Sequence, residues 1–355
     1  MKSKVIFSLF LILGFLCCKQ SCFGTGSIYD ETNSTIFIGG YPLENERLSW
    51  NPRVGSLPLL HKIYSVNFEK REQYKIFETD NDKIMAYNIN NNGLIAVSTH
   101  NANEQKGINE KQLFILEKNG KIIKKFKNTV NSINKGFFSW SPDGQKIAYV
   151  TGKSIIEGHL PFEAQGVFIY DIKKDETVKI SDKGADVYWS EHDKNIYIRD
   201  NFIQEDPQNI SVYNTTNKQL IKSNRHGTIF SDDGKFYIGA EIDKTFEGDG
   251  NMLIYFIYDN KTNEKIFKFT GSEGYNIEVA SEVFFLKKTH CLMIRYPSLY
   301  FIFDVDKKKT IKKLNAGLIG FNKDMTKAVV YEGKEDFINI IFTMEGIKIK
   351  SIKIP

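Results

Sequence analysis

The chain has 355 residues, 41% hydrophobic and 13% aromatic, so it can bury a large core and does not have the composition of a disordered segment. Lys and Arg number 48 against 43 Asp and Glu, a formal net charge of +5. So even a balance excludes the concentrated basic excess on which nucleic-acid binding depends.

The first residues are laid out as a secretory signal peptide. Met1-Lys2-Ser3-Lys4 is a basic start. Val5 to Leu16 is apolar but shorter than the ~20 residues needed to span a bilayer. Cys22 and Gly24 are small residues that place cleavage after Gly24 or close by. The expected division is therefore a signal peptide over 1–24 and one domain over 25–355. Cys17, Cys18 and Cys22 leave a second route open, a lipid on a new N-terminal cysteine that would tether the domain to a membrane; Phe15 and Lys19 stand where such a signal usually has Leu. Loss of Lys2, Lys4 and Lys19 takes the net charge from +5 to +2. The expected location is the periplasm or cell envelope, with secretion as the alternative. Of the 4 cysteines only Cys291 lies beyond the leader, in an apolar strand. The mature domain is expected to hold a buried thiol and no internal disulfide.

Beyond the leader the pattern is β, with no long helical periodicity. Residues 35–39, 62–66 and 74–77 read as strands of a first unit. A motif then repeats. Ile89 precedes Asn90-Asn91-Asn92-Gly93, Trp140 precedes Ser141-Pro142-Asp143-Gly144, and Phe230 precedes Ser231-Asp232-Asp233-Gly234. Each leads into an alternating apolar strand, and Asn-Gly or Asp-Gly in that setting signals a tight hairpin. Trp189, Phe285 and Phe321 head degenerate copies without the Gly. These anchors stand about 46 residues apart on average, the span of a four-stranded propeller blade. A second strand pair follows most hairpins: 112–116 with 121–126, 167–170 with 177–180, 254–258 with 265–269, and 300–303 with 310–314. Each unit thus reads strand A, tight turn, strand B, link, strand C, polar turn, strand D. Residues 337–342 and 347–354 complete the last unit. One such sheet cannot cover both of its faces, and stacking sheets around an axis does so. The expected fold is all-β: a seven-bladed β-propeller of four-stranded antiparallel blades, or six blades if the first is partial. The Asp-Gly turns should hold a positive φ, and the anchors should lie buried between blades.

The run from Ser139 through Trp140, Asp143 and Gly144 to Tyr149 resembles the WD40-like (PD40) repeat of the TolB-type propeller family, which also occurs in the propellers of prolyl-oligopeptidase-type enzymes. The resemblance covers 30–355 as architecture. It implies the propeller fold and no site residue, because the family's functions differ widely. Its namesake carries an α/β domain ahead of the propeller, for which 25–355 leaves no room.

Catalytic signatures are absent from the sequence. It has no Gly-x-Ser-x-Gly elbow, no His-Glu-x-x-His, no Cys-x-x-Cys and no phosphate-binding glycine loop. The B–C links read as long, at 40–61, 99–111, 152–166 and 241–252, whereas the A–B turns are tight. Functional residues concentrate on loops held by a rigid scaffold. The candidate partner-binding rim is therefore Tyr41, Trp50, Arg53, His100, His159 and Phe162, which include the aromatic and Arg types that anchor interfaces. The expected function is an exported, non-enzymatic binding protein of the bacterial envelope. It would be monomeric, without cofactor, and would hold a protein or glycan partner on that rim. The alternative is a periplasmic hydrolase or lyase acting on a carbohydrate or small ester, with a metal in the central funnel at His100, His159 and His226. His192 and His290 fall in A–B turns, on the opposite rim. Glu241, Asp243, Glu247 and Asp249 form an acidic loop whose carboxylates suit calcium, although no ligand spacing enforces it.

Overall fold

The hairpin turns satisfy their own backbone. In the computed structural model Gly93, Gly144 and Gly234 have φ of 80°, 65° and 69°. The model describes residues 28–29, 35–40, 62–67, 72–79, 83–90, 92–103, 108–127, 129, 138–156, 159–200, 209–227, 229–242, 253–268, 282–286, 288–296, 299–314, 317–322, 327–332 and 348–353. The Ser141 hydroxyl donates to Asp143 Oδ1 and accepts from Lys146 N, while the same Oδ1 accepts from Gln145 N. Ser231 and Asp233 repeat this arrangement with Lys235 N and Phe236 N. The degenerate copies put Lys194 and Lys288 in the left-handed region instead, at φ 59° and 58°. A non-glycine residue adopts that conformation at modest cost, so these turns form without the Gly that marks them in sequence.

The strands assemble into sheets in chain order. The first, β1 (Ile28–Tyr29), joins the last sheet. Sheet 1 holds β2 (Thr35–Gly40), β3 (Lys62–Asn67) and β4 (Glu72–Glu78). Sheet 2 holds β5 (Lys83–Ile89), β6 (Ile95–Asn103), β7 (Ile108–Leu116) and β8 (Ile122–Lys127). Sheet 3 holds β9 (Phe138–Trp140), β10 (Lys146–Ile156), β11 (His159–Asp171) and β12 (Glu176–Ser181). Sheet 4 holds β13 (Asp186–Trp189), β14 (Ile196–Arg199), β15 (Ile210–Tyr213) and β16 (Leu220–Ser223). Sheet 5 holds β17 (Ile229–Phe230), β18 (Phe236–Ile242), β19 (Leu253–Asp259) and β20 (Lys265–Lys268). Sheet 6 holds β21 (Glu282–Phe285), β22 (Cys291–Tyr296), β23 (Leu299–Asp304) and β24 (Lys309–Leu314). Sheet 7 holds β25 (Gly317–Asn322), β26 (Lys327–Glu332) and β27 (Lys348–Lys353), with β1 running parallel to β25. Sheets 2 to 6 are antiparallel meanders in the expected A-B-C-D order. The expected strand 337–342 and the leader lie outside the described residues. Among the described residues every regular element is a strand, and no helix is long and apolar enough to cross a membrane.

Each hydrophobic cluster is shared between consecutive sheets. Ile63 and Phe77 of sheet 1 pack with Ile89, Val97 and Phe114 of sheet 2. Ala96 and Ile115 of sheet 2 pack with Ile147 and Tyr149 of sheet 3. Val150 and Val167 of sheet 3 meet Trp189 and Ile198 of sheet 4. Tyr197 and Val212 of sheet 4 meet Phe230 and Tyr258 of sheet 5, and Ile238 and Ile257 of sheet 5 meet Phe285 and Phe303 of sheet 6. The first strands of neighbouring sheets adjoin, β9 beside β13 and β17 beside β21, and Trp189 N donates to Ser139 Oγ at 2.9 Å across one such seam. Of the six anchors, Ile89, Trp189, Phe230 and Phe285 are buried and Trp140 is half-buried. The side chain of Phe321 lies outside the described residues. Trp189 Nε1 donates to Lys194 O at 3.1 Å.

The outer strands carry a device that the sequence reading missed. Lys125, Lys179 and Lys313 on the D strands lie over Phe114, Phe168 and Phe301 on the C strands, at 5.1, 5.9 and 5.1 Å. These are direct cross-strand pairs. Lys265 covers Phe256 at 4.5 Å from a diagonal position, its direct partner being Tyr258. An ammonium over a ring face is attracted to it, and lysines on an edge strand discourage pairing with another chain.

Two consequences are measurable by chemical denaturation. Gly144→Val should destabilise by about 1–3 kcal/mol, because φ is positive and a Cβ would sit 2.8 Å from Asn92 Nδ2. Gly144→Asn, which tolerates that φ, should cost less. Trp189→Ala should cost about 3–5 kcal/mol through the cavity it opens between sheets 3 and 4.

Candidate binding rims

Half of the expected rim residues lie in strands of two hairpin arms, and the other half lies outside the described residues. Tyr41, Trp50 and Arg53 are in that second group. His100 is in β6, paired with Lys83 and Lys111; His159 and Phe162 are in β11, opposite Ile156 and Ser154. Residues 99–111 and 152–166, read from sequence as loops, are therefore mostly long hairpins. Extended arms satisfy each other's N–H and C=O groups, which a loop of that length would leave to water. The arms outrun their sheets. β12 pairs with β11 only from Val167 to Asp171, and β9 pairs with β10 only from Ile147 to Tyr149. Among the described residues, 152–156 and 159–164 pair only with each other. At ~3.3 Å per residue this arm projects by about 15 Å. The β6–β7 arm projects in the same way beyond Gln112, where β8 begins to pair.

On the same rim His226 stacks on Tyr258, with ring centroids 5.1 Å apart and planes 9° from parallel. Its Nδ1 is 3.7 Å from Glu241 Oε1, and burial lowers its pKa. Glu241 is already engaged: the Tyr258 hydroxyl donates to Oε1 at 2.6 Å and Lys265 Nζ lies 2.6 Å from Oε2. These donors hold the Glu241 carboxyl below the usual range, against the opposing effect of burial. Burial and the Glu241 charge push the Tyr258 phenol far up. Of the acidic residues proposed for calcium, Glu241 is thus a strand residue with both oxygens partnered, and Asp243, Glu247 and Asp249 lie outside the described residues. Among the described residues no three His, Cys, Asp or Glu side chains gather to hold a metal.

On the opposite rim, turns of neighbouring sheets are bonded to one another at two seams. Asn90 Nδ2 donates to Gly144 O and Asn92 Nδ2 to Asp143 O, both at 2.9 Å, joining sheets 2 and 3. Asn90 Oδ1 meanwhile accepts from Asn92 N and Leu94 N within its own turn. Between sheets 5 and 6, Lys288 N donates to Asp232 Oδ2 at 3.1 Å. His290 there bridges two carboxylates, with Nε2 2.7 Å from Asp233 Oδ2 and Nδ1 2.6 Å from Asp306 Oδ2. Asp232, Asp233, Lys288, Thr289 and His290 line a cleft of ≈ 350 Å³. Burial opposes the carboxylate, but the hydrogen bonds of His290, Lys235 N and Ser231 outweigh it and bring Asp233 down to about 2. Among the described residues no activated nucleophile adjoins His290. The Thr289 hydroxyl is committed to Leu286 O and Cys291 N, and Cys291 is a buried free thiol whose pKa burial raises. His290 with its two carboxylates is an ionic bridge between the turns.

No protein-family model and no curated protein sequence matches the chain. Solved structures do. A chain of Kuenenia stuttgartiensis hydrazine synthase is 13% identical, with 90% of this chain and 92% of that one covered and a TM-score of 0.53. TolB from Acinetobacter baumannii is 16% identical over 70% of this chain, with a TM-score of 0.43, and the match spans only 58% of the TolB chain. The β-propeller domain of the Trilobed protease from Pyrococcus furiosus is 15% identical, with 78% and 84% covered and a TM-score of 0.46. The hydrazine synthase match is a likeness of fold alone.

The turn-to-turn bonds should be detectable singly. Asn90→Ala leaves Gly144 O without this donor and removes the acceptor for two backbone amides, so it should cost about 1–3 kcal/mol in urea denaturation. Asn92→Ala, on an exposed side chain, should cost less than Asn90→Ala.

Proposed function

We propose that the chain is an exported, non-enzymatic binding protein of the bacterial envelope, built as a seven-bladed β-propeller. It holds a protein or glycan partner on the rim that carries the β6–β7 and β10–β11 arms. The observation that carries this reading is the contrast between rims. One projects paired arms whose outer edges have no strand partner among the described residues, and the other closes on tight turns bonded to their neighbours. Paired arms on a rigid sheet present edge amides and side chains to a partner with little ordering cost. The blade count is supported by the seven sheets and by the clusters shared between consecutive sheets. The parallel contact of β1 with β25, between an early strand and the last sheet, also supports that reading. Export rests on the leader-like residues 1–24.

The test uses the chain from residue 25 onward, immobilised and exposed to envelope extract and to a glycan array. Wild type should retain a partner that is lost from Trp50→Ala, Arg53→Ala and Phe162→Ala, with unchanged melting temperature. Asp232→Ala, on the opposite rim, should bind as wild type does. If melting falls while binding persists, these side chains seal the rim and the binding assignment is wrong.

A further inference from the structure

We propose that His290 is a proton-keyed clasp between sheets 5 and 6, closed while its ring is doubly protonated and released when the ring loses a proton. The argument is one of donors and acceptors. A neutral imidazole has one N–H and one lone pair, whereas an ionised carboxylate only accepts. Both ring nitrogens of His290 sit at hydrogen-bond distance from carboxylate oxygens, 2.7 Å to Asp233 and 2.6 Å to Asp306. Both contacts are bonds only if the ring is an imidazolium or if one carboxyl carries the proton. The carboxyls are the weaker candidates. Asp233 Oδ1 already accepts from Lys235 N and from the Ser231 hydroxyl. Asp306 Oδ1 faces Lys235 Nζ at 3.3 Å. The proton therefore resides on His290.

The two carboxylates come from different sheets. Asp233 is in the turn between β17 and β18 of sheet 5, and Asp306 follows β23 within sheet 6. The histidine lies between β21 and β22 of sheet 6, 57 residues from Asp233. It thus couples a turn of one sheet to both turns of the next. The other charged or titratable groups around it are Asp232, which accepts from Lys288 N; Lys288 itself, which lines the same cleft; Lys235, which reaches across to Asp306; Lys307, which pairs with Asp304; and His192 of sheet 4, whose ring lies against Gly234 beside Asp233. The ring stands nearly perpendicular to Phe236 with centroids 4.9 Å apart, and 24% of the side chain is exposed, so protons reach it from solvent. Loss of a proton turns one of the two charge-assisted bonds into a lone pair facing a carboxylate. Asp233 and His290 both line the cleft between the turns, so release changes that cleft.

The pH window follows from the signs. Burial disfavours the imidazolium, but the two carboxylates outweigh it and raise the His290 pKa above 6.5. Its contribution to stability is complete below 6.5 and is lost as pH rises through the raised value. Asp233 and Asp306 are held below 3.8, so their contribution is present above that value and is lost as pH falls, toward about 2 for Asp233.

Long-range proton–nitrogen correlation spectra of ¹⁵N-labelled protein, recorded from about pH 5 to 9, test this directly. His290→Gln identifies the resonance by its loss among the 6 histidines. Both ring nitrogens of His290 should show protonated shifts at pH 6.5, with a midpoint above it. The melting-temperature gap between wild type and His290→Gln should be largest below that midpoint and shrink above it. Asp306→Asn should fold and should lower the midpoint, so the proposal stays testable if the glutamine variant does not fold. A His290 ring neutral at pH 6.5, a midpoint unmoved by Asp306→Asn, or a gap independent of pH would overturn the clasp.

Discussion

A four-stranded antiparallel sheet has two faces, and in this chain both are apolar at the inner strands. Neither can be left to water, and the solution is sharing. Strand β10 shows it residue by residue: Ile147 and Tyr149 enter the cluster with sheet 2, while Ala148 and Val150 enter the cluster with sheet 4. Strand β14 divides in the same way, Ile196 and Ile198 toward sheet 3 and Tyr197 toward sheet 5. This explains why the second strand of each unit reads as a near-continuous apolar run, the signature of strands covered on both sides. Among the described residues the core is accordingly divided into clusters between sheets. Stability is distributed over seams, each dependent on its neighbours.

Outward along each sheet the demand reverses. Strands β8, β12 and β16 expose Ile122, Val178 and Ile221 and would present open edges. On β8 and β12, Lys125 and Lys179 shield the aromatic rings of the C strands and charge the edge. The Lys-rich outer strands thus follow from their place in the sheet and require no anionic partner.

Along the axis the two rims differ because their connections differ. At the A–B and C–D turns the chain reverses within a few residues, and side chains are consumed in closing each turn. Asp233 does both jobs at once: Oδ1 caps its own hairpin and Oδ2 reaches the histidine of the next sheet. Local turn chemistry and inter-sheet cohesion are the same carboxylate. On the other rim two of the connections are hairpin arms that run past their sheets, with no strand partner along their outer edges among the described residues.

Much of this was legible in the residues themselves. The Ser-x-Asp-Gly turns, the order of four strands in sheets 2 to 6 and the burial of Trp189, Phe230 and Phe285 follow from short-range rules, namely positive φ at glycine, self-capping by Ser and Asp, and alternation of side chains. What was misjudged was where strands end. Residues 99–111 and 152–166 contain Asn, Gly and Pro and read as loops, yet most of them are paired, because a strand's limits are set by the availability of a partner strand. The His290 bridge was not legible at all. Its three members are separated by 57 and 16 residues, and nothing in the local sequence of any one announces the others. Backbone conformation and face of burial are local properties that a sequence determines by itself. Which turn meets which across a seam is decided only when consecutive sheets pack, because burial of their shared faces fixes the rotation of one sheet on the next.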